Sequence, residues 1–589
     1  MRSEEQSGWA SAPTLETRRF AGPLFLFLLS FALYANTLRN GFVFDDVHQI
    51  LENPWIRDFS QLGQIFQTHF WAFAGLESDY YRPLAHVAFA VLNAPFGPAA
   101  WVFHLASVVL HGVVTVLVYL VASRLIPDRR DTSAWIPLSA AMVSGLVFAT
   151  HPIHTEAVAW ISSLPDLTCA ALFLAGLLLF LDPPQGTGRW TSRHAVAGLC
   201  YLASALFKES GLTLPVVVAL LDLARHPRNR PASYWGSRYG ALVFALATYL
   251  ILRHSAIGGF APAASEDASD PVAVLTGAGA ALWRYLAMLT APVRLNVFQT
   301  IDSATGLPPM AAIVGIPLAA ALAVWRRSVS WASAIVLFAV PLIPALYAPA
   351  LLPGLDNPWA ERYVYLPSVG FVIGVGSLYA TLCHYRPSLR RAAALILAII
   401  VLASSGATVW RNRVWKDDLT LWFDAVRKSP NAGEAHSYLG YALFVDGEVG
   451  PAIEQYRLAI RLKPEFADAH HNLGVALAVT GRHDDAVRAY LAAIERKPGR
   501  ALTRANLSIS LSAMRRPDEA LDQADRALVI DSSCAKAYQA RGVALGQFGR
   551  ISEAAECFRR AVELDPDDAV SRANLENANR MLKPATQGR

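Results

Sequence analysis

The stretch GFVFDDVHQILENPWIRD, residues 41–58, places two adjacent carboxylates, Asp45 and Asp46, directly behind the first apolar run. Carboxylates there can cap a helix, hold a metal ion or take a proton from a hydroxyl as a general base. In HPIHTEAVAW, His151, His154 and Glu156 could offer two imidazoles and a carboxylate to a metal. Pro152 breaks the helical register that would align the imidazoles, so hydrogen bonding at a helix start is the expected role, and no metal site is expected. Asp166 falls inside an apolar run. A charge at a bilayer centre costs on the order of 2.5–3.5 kcal/mol, so this carboxylate should turn inward, toward a polar cavity or a partner. Arg82 and Arg362 stand beside aromatic clusters, where an arginine either snorkels to lipid headgroups or forks a phosphate.

The elements that position these residues follow from composition. The chain has 589 residues, 54% of them hydrophobic and 16% charged, with a mean hydropathy of +0.32. That is an integral membrane protein of at least two parts. The net charge of +5 is spread over short loops, which argues against nucleic-acid binding. Cys169, Cys200 and Cys383 lie in apolar runs as small hydrophobes. Cys534 and Cys557 lack a CxxC spacing, so neither a zinc site nor a disulfide framework is indicated.

Candidate spans fall at 20–39, 99–124, 134–153, 158–181, 194–207, 211–224, 239–253, 309–325, 331–352, 363–383 and 392–410. A further stretch, 271–292, is interrupted by Arg284 and Pro292 and is expected to lie in the interface. The first run reads as an uncleaved span behind a cytoplasmic tail, 1–19, that ends in Arg18 and Arg19. Arginine-rich joints alternate with joints that lack them, and the positive-inside rule puts the Asp45 loop, His154 and Arg362 together on the non-cytoplasmic face. If 271–292 does not cross, eleven spans leave everything after Val409 on that face too; if it crosses, the C-terminal region moves to the cytoplasm.

Beyond about Asp418 a repeat of 34 residues appears. Gly440, Gly474 and Gly542 keep the step, with Ser508 between them; Ala452, Ala486, Ala520 and Ala554 keep it throughout. Tyr456, Tyr490 and Phe558 do so with Ala524 as the exception, and Pro430, Pro464, Pro498 and Pro566 with Ser532. Small residues where two helices cross and a proline at the unit's end are the tetratricopeptide signature. The expected organisation is a multi-span domain, 20–410, with a first outer loop at 40–98. A connecting half-repeat at 411–432, four repeats at 433–568 and a capping helix and tail at 569–589 follow. The fold class is all-α: a polytopic membrane domain, then an α-solenoid able to hold a peptide or protein partner.

GFVFDD, YYRPL at 80–84, HPIHTEAVAW, FKESGLTLP at 207–215 and AERYVYLPSVGF at 360–371 occur in this order ahead of the repeats. With them, the whole chain resembles the transmembrane-and-tetratricopeptide-repeat family of O-mannosyltransferases, built on the glycosyltransferase C fold. The resemblance implies transfer of a sugar, mannose in the family, from a polyprenyl-phosphate carrier to a protein hydroxyl outside the cytoplasm, with the repeats binding the acceptor. It matches Asp45 and Asp46 to the family's paired acids, one of them the expected general base of an inverting displacement. Arg362, Arg82 and Lys208 are then the expected donor-phosphate cations. His151, His154, Glu156, Asp166, Glu209, Tyr363 and Tyr365 are expected to support the pocket. No nucleotide-binding loop is present, as suits a lipid-linked donor, and no cofactor is expected. One departure stands out: where the family reads Gly-Arg-Ala-Asp, this chain has Ser163-Leu164-Pro165-Asp166, without the arginine. The competing readings are a ligase or polymerase of lipid-linked oligosaccharides, and a membrane-anchored scaffold without activity.

Overall fold

A computed structural model describes residues 15–76, 78–127, 138–181, 191–225, 232–260, 271–298, 315, 328–351 and 359–582. All regular structure among them is helical. The chain divides into two compact units, 1–421 and 422–589.

In the first unit, seven helical stretches among the described residues are long and apolar enough to cross a membrane: Phe20–Arg39, Ala100–Leu125, Ile161–Leu181, Ser233–Ile257, Val329–Leu346, Ser368–Tyr385 and Pro387–Trp415. The protein is a multi-pass membrane protein. Several of the eleven expected spans form helices of 11, 16 and 12 residues. The run at 134–153 forms a helix only over Ala140–Thr150, with Ser139 accepting a hydrogen bond from the Met142 amide at one end and His151-Pro152 ending it at the other. The runs at 194–207 and 211–224 form Ser192–Phe207 and Leu214–Arg225, separated by the turn at Lys208–Thr213. A helix, Pro271–Thr290, covers the stretch expected in the interface. Apart from residue 315, the run at 309–325 lies outside the described residues.

The core of this unit is aliphatic and aromatic, with Val108, Val118, Phe148, Phe173, Leu177 and Tyr365 among its buried members. Leu164, in the place of the family's arginine, belongs to a second apolar cluster. It is buried there with Ile50 and Ile56 of the first loop and Phe89 and Phe103 of the helices that follow. The two ends of the unit meet: Asn36 Nδ2 donates to the Val409 carbonyl at 3.0 Å, and the Gly41 amide donates to the Lys416 carbonyl at 2.9 Å. The segment that leaves the membrane unit therefore lies beside the start of the first loop.

The second unit is a run of helix pairs: Gly433–Val445 with Val449–Leu462, Ala467–Val479 with His483–Arg496, Ala501–Ala513 with Pro517–Ile530, and Ala535–Gln547 with Ile551–Leu564. Helix Ala569–Leu582 follows. A Cβ on Gly440, Gly474 or Gly542 would come within 2.6–2.7 Å of the ring of Tyr456, Tyr490 or Phe558, so each crossing requires glycine opposite its ring. The third pair breaks both halves of the rule at once. Ser508 replaces glycine and donates through Oγ to the Ala520 carbonyl at 2.7 Å, and Ala524 replaces the aromatic residue. The two exceptions are one compensated exchange, in which volume added on one helix is removed from the other.

Restoring only half of the pattern should therefore hurt. Ala524→Tyr is expected to destabilise the repeat unit by about 1–3 kcal/mol through overpacking against Ser508, and Ser508→Gly added to it should recover most of that loss. Thermal unfolding of the solubilised chain, followed by circular dichroism, measures both; equal melting of the single and double variants would contradict the compensation.

Candidate active site

The first loop reaches the acid pair through a strained turn. Phe44 has φ of 53°, a left-handed conformation that non-glycine residues rarely adopt. It is held there because its amide donates to Asp418 Oδ1 at 2.8 Å and its ring stacks on Trp160 at 5.8 Å between centroids. Trp160 in turn stacks on the fully buried Trp415. Just beyond, residues Val47–Leu51 wind as a short π-helix, a local irregularity that occurs frequently at functional sites.

The two aspartates then take different surroundings. Asp46 is fully buried. Its Oδ1 accepts from the amide and the hydroxyl of Ser162, at 2.7 and 2.5 Å, and its Oδ2 accepts from the Val43 amide at 3.1 Å. Burial pushes its carboxyl up to about 7, against the pull of those donors. Asp45 is half-buried, and among the described residues its carboxylate accepts no hydrogen bond. Burial raises it to about 6, while the nearby charges of Arg362 and His48 act in the opposite direction. One acid is a strut between the first loop and the segment entering the Asp166 helix; the other is an unengaged base.

The three expected cations each meet a carboxylate. Arg362 Nη1 donates to Glu156 Oε1 at 2.5 Å, and the Glu361 amide donates to Glu156 Oε2 at 3.0 Å. The Arg362 guanidinium lies over the rings of Trp160 and Tyr363, at 4.7 and 4.9 Å from their centroids. Arg82 grips Glu209 with Nε and Nη2, the shortest contact being 2.7 Å, and lies 4.3 Å over the Tyr80 ring. Lys208 pairs with Asp166 and lies 5.2 Å from the Tyr363 ring centroid. Burial alone would lower Arg82, and the carboxylate of Glu209 more than reverses it; Arg362 is likewise raised against its burial by Tyr363, Glu156 and Asp166. The same partnership holds Glu209 below its ordinary range although burial opposes it.

The segments carrying these groups are set by sharp local breaks. Lys208 is extended, with φ of −159°, between helix Ser192–Phe207 and the 3-10 turn Glu209–Thr213. A Cβ on Gly211 would lie 2.6 Å from the carbonyl carbon of Ser204, so this fold-back requires glycine. Asp166 sits in the first turn of Leu164–Leu181, where the helix dipole favours an anion. Electrostatic interaction links Asp45 to Arg362, Arg362 to Asp166, and Tyr80 to both arginines and Tyr363. The structure thus brings together Asp45, Arg362, Glu156, Tyr363, Asp166, Lys208, Arg82 and Glu209.

His151, His154 and Tyr365 are spent on packing. His151 Nε2 bonds the Leu289 carbonyl and its Nδ1 accepts from the Ile153 amide at the start of a short turn. His154 bridges the Phe148 carbonyl and Ser368 Oγ. Burial pushes His151 down to about 4 and His154 well below its usual value, so both are neutral near pH 7. The Tyr365 hydroxyl shares a hydrogen bond of 2.8 Å with His111 Nδ1. Among the described residues, no three His, Cys, Asp or Glu side chains converge as metal ligands. Ser162, Trp160, Phe44 and Asp418 were not legible as site residues. Ser162 lies 116 positions from the acid it holds, and no local spacing announces such a contact.

Comparison with known proteins extends this picture. Family models described as TPR repeat or tetratricopeptide repeat match residues 440–481, 467–500 and 535–568. The chain is 27% identical over 458 residues to protein O-mannosyl-transferase TMTC3 of Mus musculus, covering 70% of this chain and 48% of that protein. It is 24% identical over 502 residues to protein O-mannosyl-transferase TMTC4 of Mus musculus, covering 74% and 66%. It is 26% identical over 453 residues to protein O-mannosyl-transferase F38B6.6 of Caenorhabditis elegans, covering 74% and 62%. The chain spans about half to two thirds of the length of these relatives. Its matched share exceeds what the repeats alone could supply, so the likeness extends into the membrane unit. Over its membrane unit and its repeats, the chain is thus similar to curated proteins named protein O-mannosyl-transferases.

Proposed function

We propose that this protein transfers a hexose, mannose by likeness to its relatives, from a polyprenyl-phosphate carrier to a serine or threonine hydroxyl of a polypeptide. The observation that carries this reading is the free carboxylate of Asp45, raised to about 6 and facing the Arg362 charge where the three ion pairs converge. A base of that strength is largely ionised at neutral pH and still able to accept a proton. The acceptor oxygen attacks the anomeric carbon as its proton passes to Asp45. The bond between that carbon and the phosphate oxygen breaks, and the configuration inverts in a single displacement. Charge developing on the departing phosphate meets donors whose directions are fixed by Glu156, Glu209 and Asp166. Arg362 uses only Nη1 on its carboxylate and keeps a 25% exposed side chain, leaving donors for the leaving group.

The repeats supply the acceptor site in this reading. On the first helix of each pair, positions one after and two before the crossing residue turn roughly 100–160° away from the partner helix. They carry Tyr441, Val475, Ile509, Asn472 and Asn506, all uncharged. Ion pairs such as Arg457–Glu454, Arg516–Glu519 and Arg550–Glu553 gather charge along or at the start of the second helices. A neutral, partly apolar face suits an extended, uncharged polypeptide segment. The positive-inside asymmetry supports a non-cytoplasmic Asp45 loop, and the Gly41–Lys416 contact supports exit of the chain on that same face. Cleavage of the repeats by protease added outside intact spheroplasts is the expected result; protection until lysis would separate the repeats from the proposed acceptor role.

Transfer from polyprenyl-phosphate mannose to a peptide in isolated membranes tests the chemistry. Asp45→Asn is expected to slow transfer by about 10²–10⁴-fold, and an unchanged rate would remove Asp45 from the mechanism. The wild-type rate should climb with pH through about 6 and level off above it, because the ionised carboxylate is the active form. Arg362→Met takes away a charge that favours ionisation, so its rising limb should move to higher pH. Ser162→Ala leaves Asp46 Oδ1 with one donor fewer; it should lower protein stability by about 1–3 kcal/mol, with a smaller effect on rate than Asp45→Asn.

A further inference from the structure

Arg253 stands near the end of helix Ala232–Ile257 and is 3% exposed. Its Nη1 donates to the Asp79 carbonyl at 2.9 Å, while Nε and Nη2 are buried and make no hydrogen bond of normal geometry, with the Tyr249 hydroxyl as the polar group beside the guanidinium. No carboxylate lies within ion-pair distance of it among the described residues, whereas the buried Arg238 and Arg411 pair with Asp222 and Glu361. An arginine cannot discharge itself by losing a proton, and a buried charge without a counter-charge is strongly disfavoured. The end of its helix offers partial negative charge, equivalent to roughly half an elementary charge and shared among several carbonyls. A full counter-charge is still wanting.

The open edge has a definite shape. Nε and Nη2 form the flank of the guanidinium that meets two oxygens of one anion in parallel. The place is close to the site already described: Asp79 leads directly into Tyr80 and Arg82, and Tyr249, one turn before Arg253, interacts electrostatically with Arg253, Glu209 and Arg82 alike. The same helix leaves Phe244 and Ile251 exposed, 74% and 68%, on a face suited to lipid. We propose that Arg253 binds a phosphate group through its Nε and Nη2 edge, and that this is the phosphate of the lipid-linked sugar donor. The proposal rests on the donor chemistry given under Proposed function. It makes Arg253 an anchoring cation beside Arg362, because Arg82 and Lys208 are committed to carboxylates and Arg362 spends one of its donors on Glu156.

Binding to the purified full chain in detergent tests it, with a short polyprenyl monophosphate, the corresponding polyprenol, inorganic phosphate and phosphatidylglycerol as probes. Wild type should prefer the polyprenyl monophosphate to the alcohol by about tenfold or more. Arg253→Met should abolish that preference, and Arg253→Lys, which keeps charge but loses the fork, should retain part of it. Without ligand, Arg253→Met should melt no lower than wild type, since it removes a buried, uncompensated charge. A clear fall in melting temperature, with the preference kept, would make Arg253 a structural tie to Asp79 and overturn the proposal. So would a preference that survives Arg253→Met and is lost in Arg362→Met, which leaves the donor reading standing. Equal binding of inorganic phosphate or phosphatidylglycerol would overturn the assignment to the donor lipid. A wild type that prefers the alcohol equally would sink the donor reading itself.

Discussion

The buried carboxylate of Asp46 is the joint on which the site depends. It gathers the Val43 amide from the first loop and both donors of Ser162 from a segment far away in sequence, and so fixes where the residue before it points. The strained Phe44 turn is tolerable because the same neighbourhood over-determines it, through Asp418 below the amide and Trp160 beneath the ring. Remove any of these ties and the left-handed residue has reason to relax, carrying Asp45 with it. The free acid is thus a product of several committed groups around it.

The same division of labour governs the cations. Glu156, Asp166 and Glu209 each hold one basic side chain in a set direction, at the cost of cancelling much of its charge. Such pairs orient more than they attract: Arg82 and Arg362 present a dipole with a fixed edge, not an isolated cation. Aromatic faces complete the arrangement, since Trp160, Tyr363 and Tyr80 lie against the guanidinium planes. These pairs therefore offer placement more than net charge, and the strongest attraction for an anion is left to any cation that lacks an internal partner.

Much of this was legible in the sequence because it is local or periodic. The 34-residue step survives inspection of four glycine-equivalent positions, and the apolar runs announce the membrane unit. The acid pair and the cations were visible as residue types in recognisable motifs. What the sequence withheld was pairing. Nothing near Lys208 says that its partner is Asp166, 42 positions away, and nothing near Arg362 points to Glu156, 206 positions away. Helix ends were hidden for a related reason: hydropathy counts apolar residues, while Pro152 and the Lys208–Gly211 break decide where a helix stops. Leu164 shows the same limit from the other side. Its type marked a missing arginine, and only packing reveals that it has become part of an apolar cluster.

The exchange of Gly and ring for Ser508 and Ala524 bears on how the array can change over time. Each crossing is matched inside a single unit, a narrow helix with a bulky one, or a wider helix with a slim one. Whole units can be copied or lost without disturbing that match. A recombination point that splits the third unit against any other would join a serine to a ring, or a glycine to an alanine, leaving a clash or a void. The third unit is therefore heritable only whole, while its neighbours can exchange helices freely.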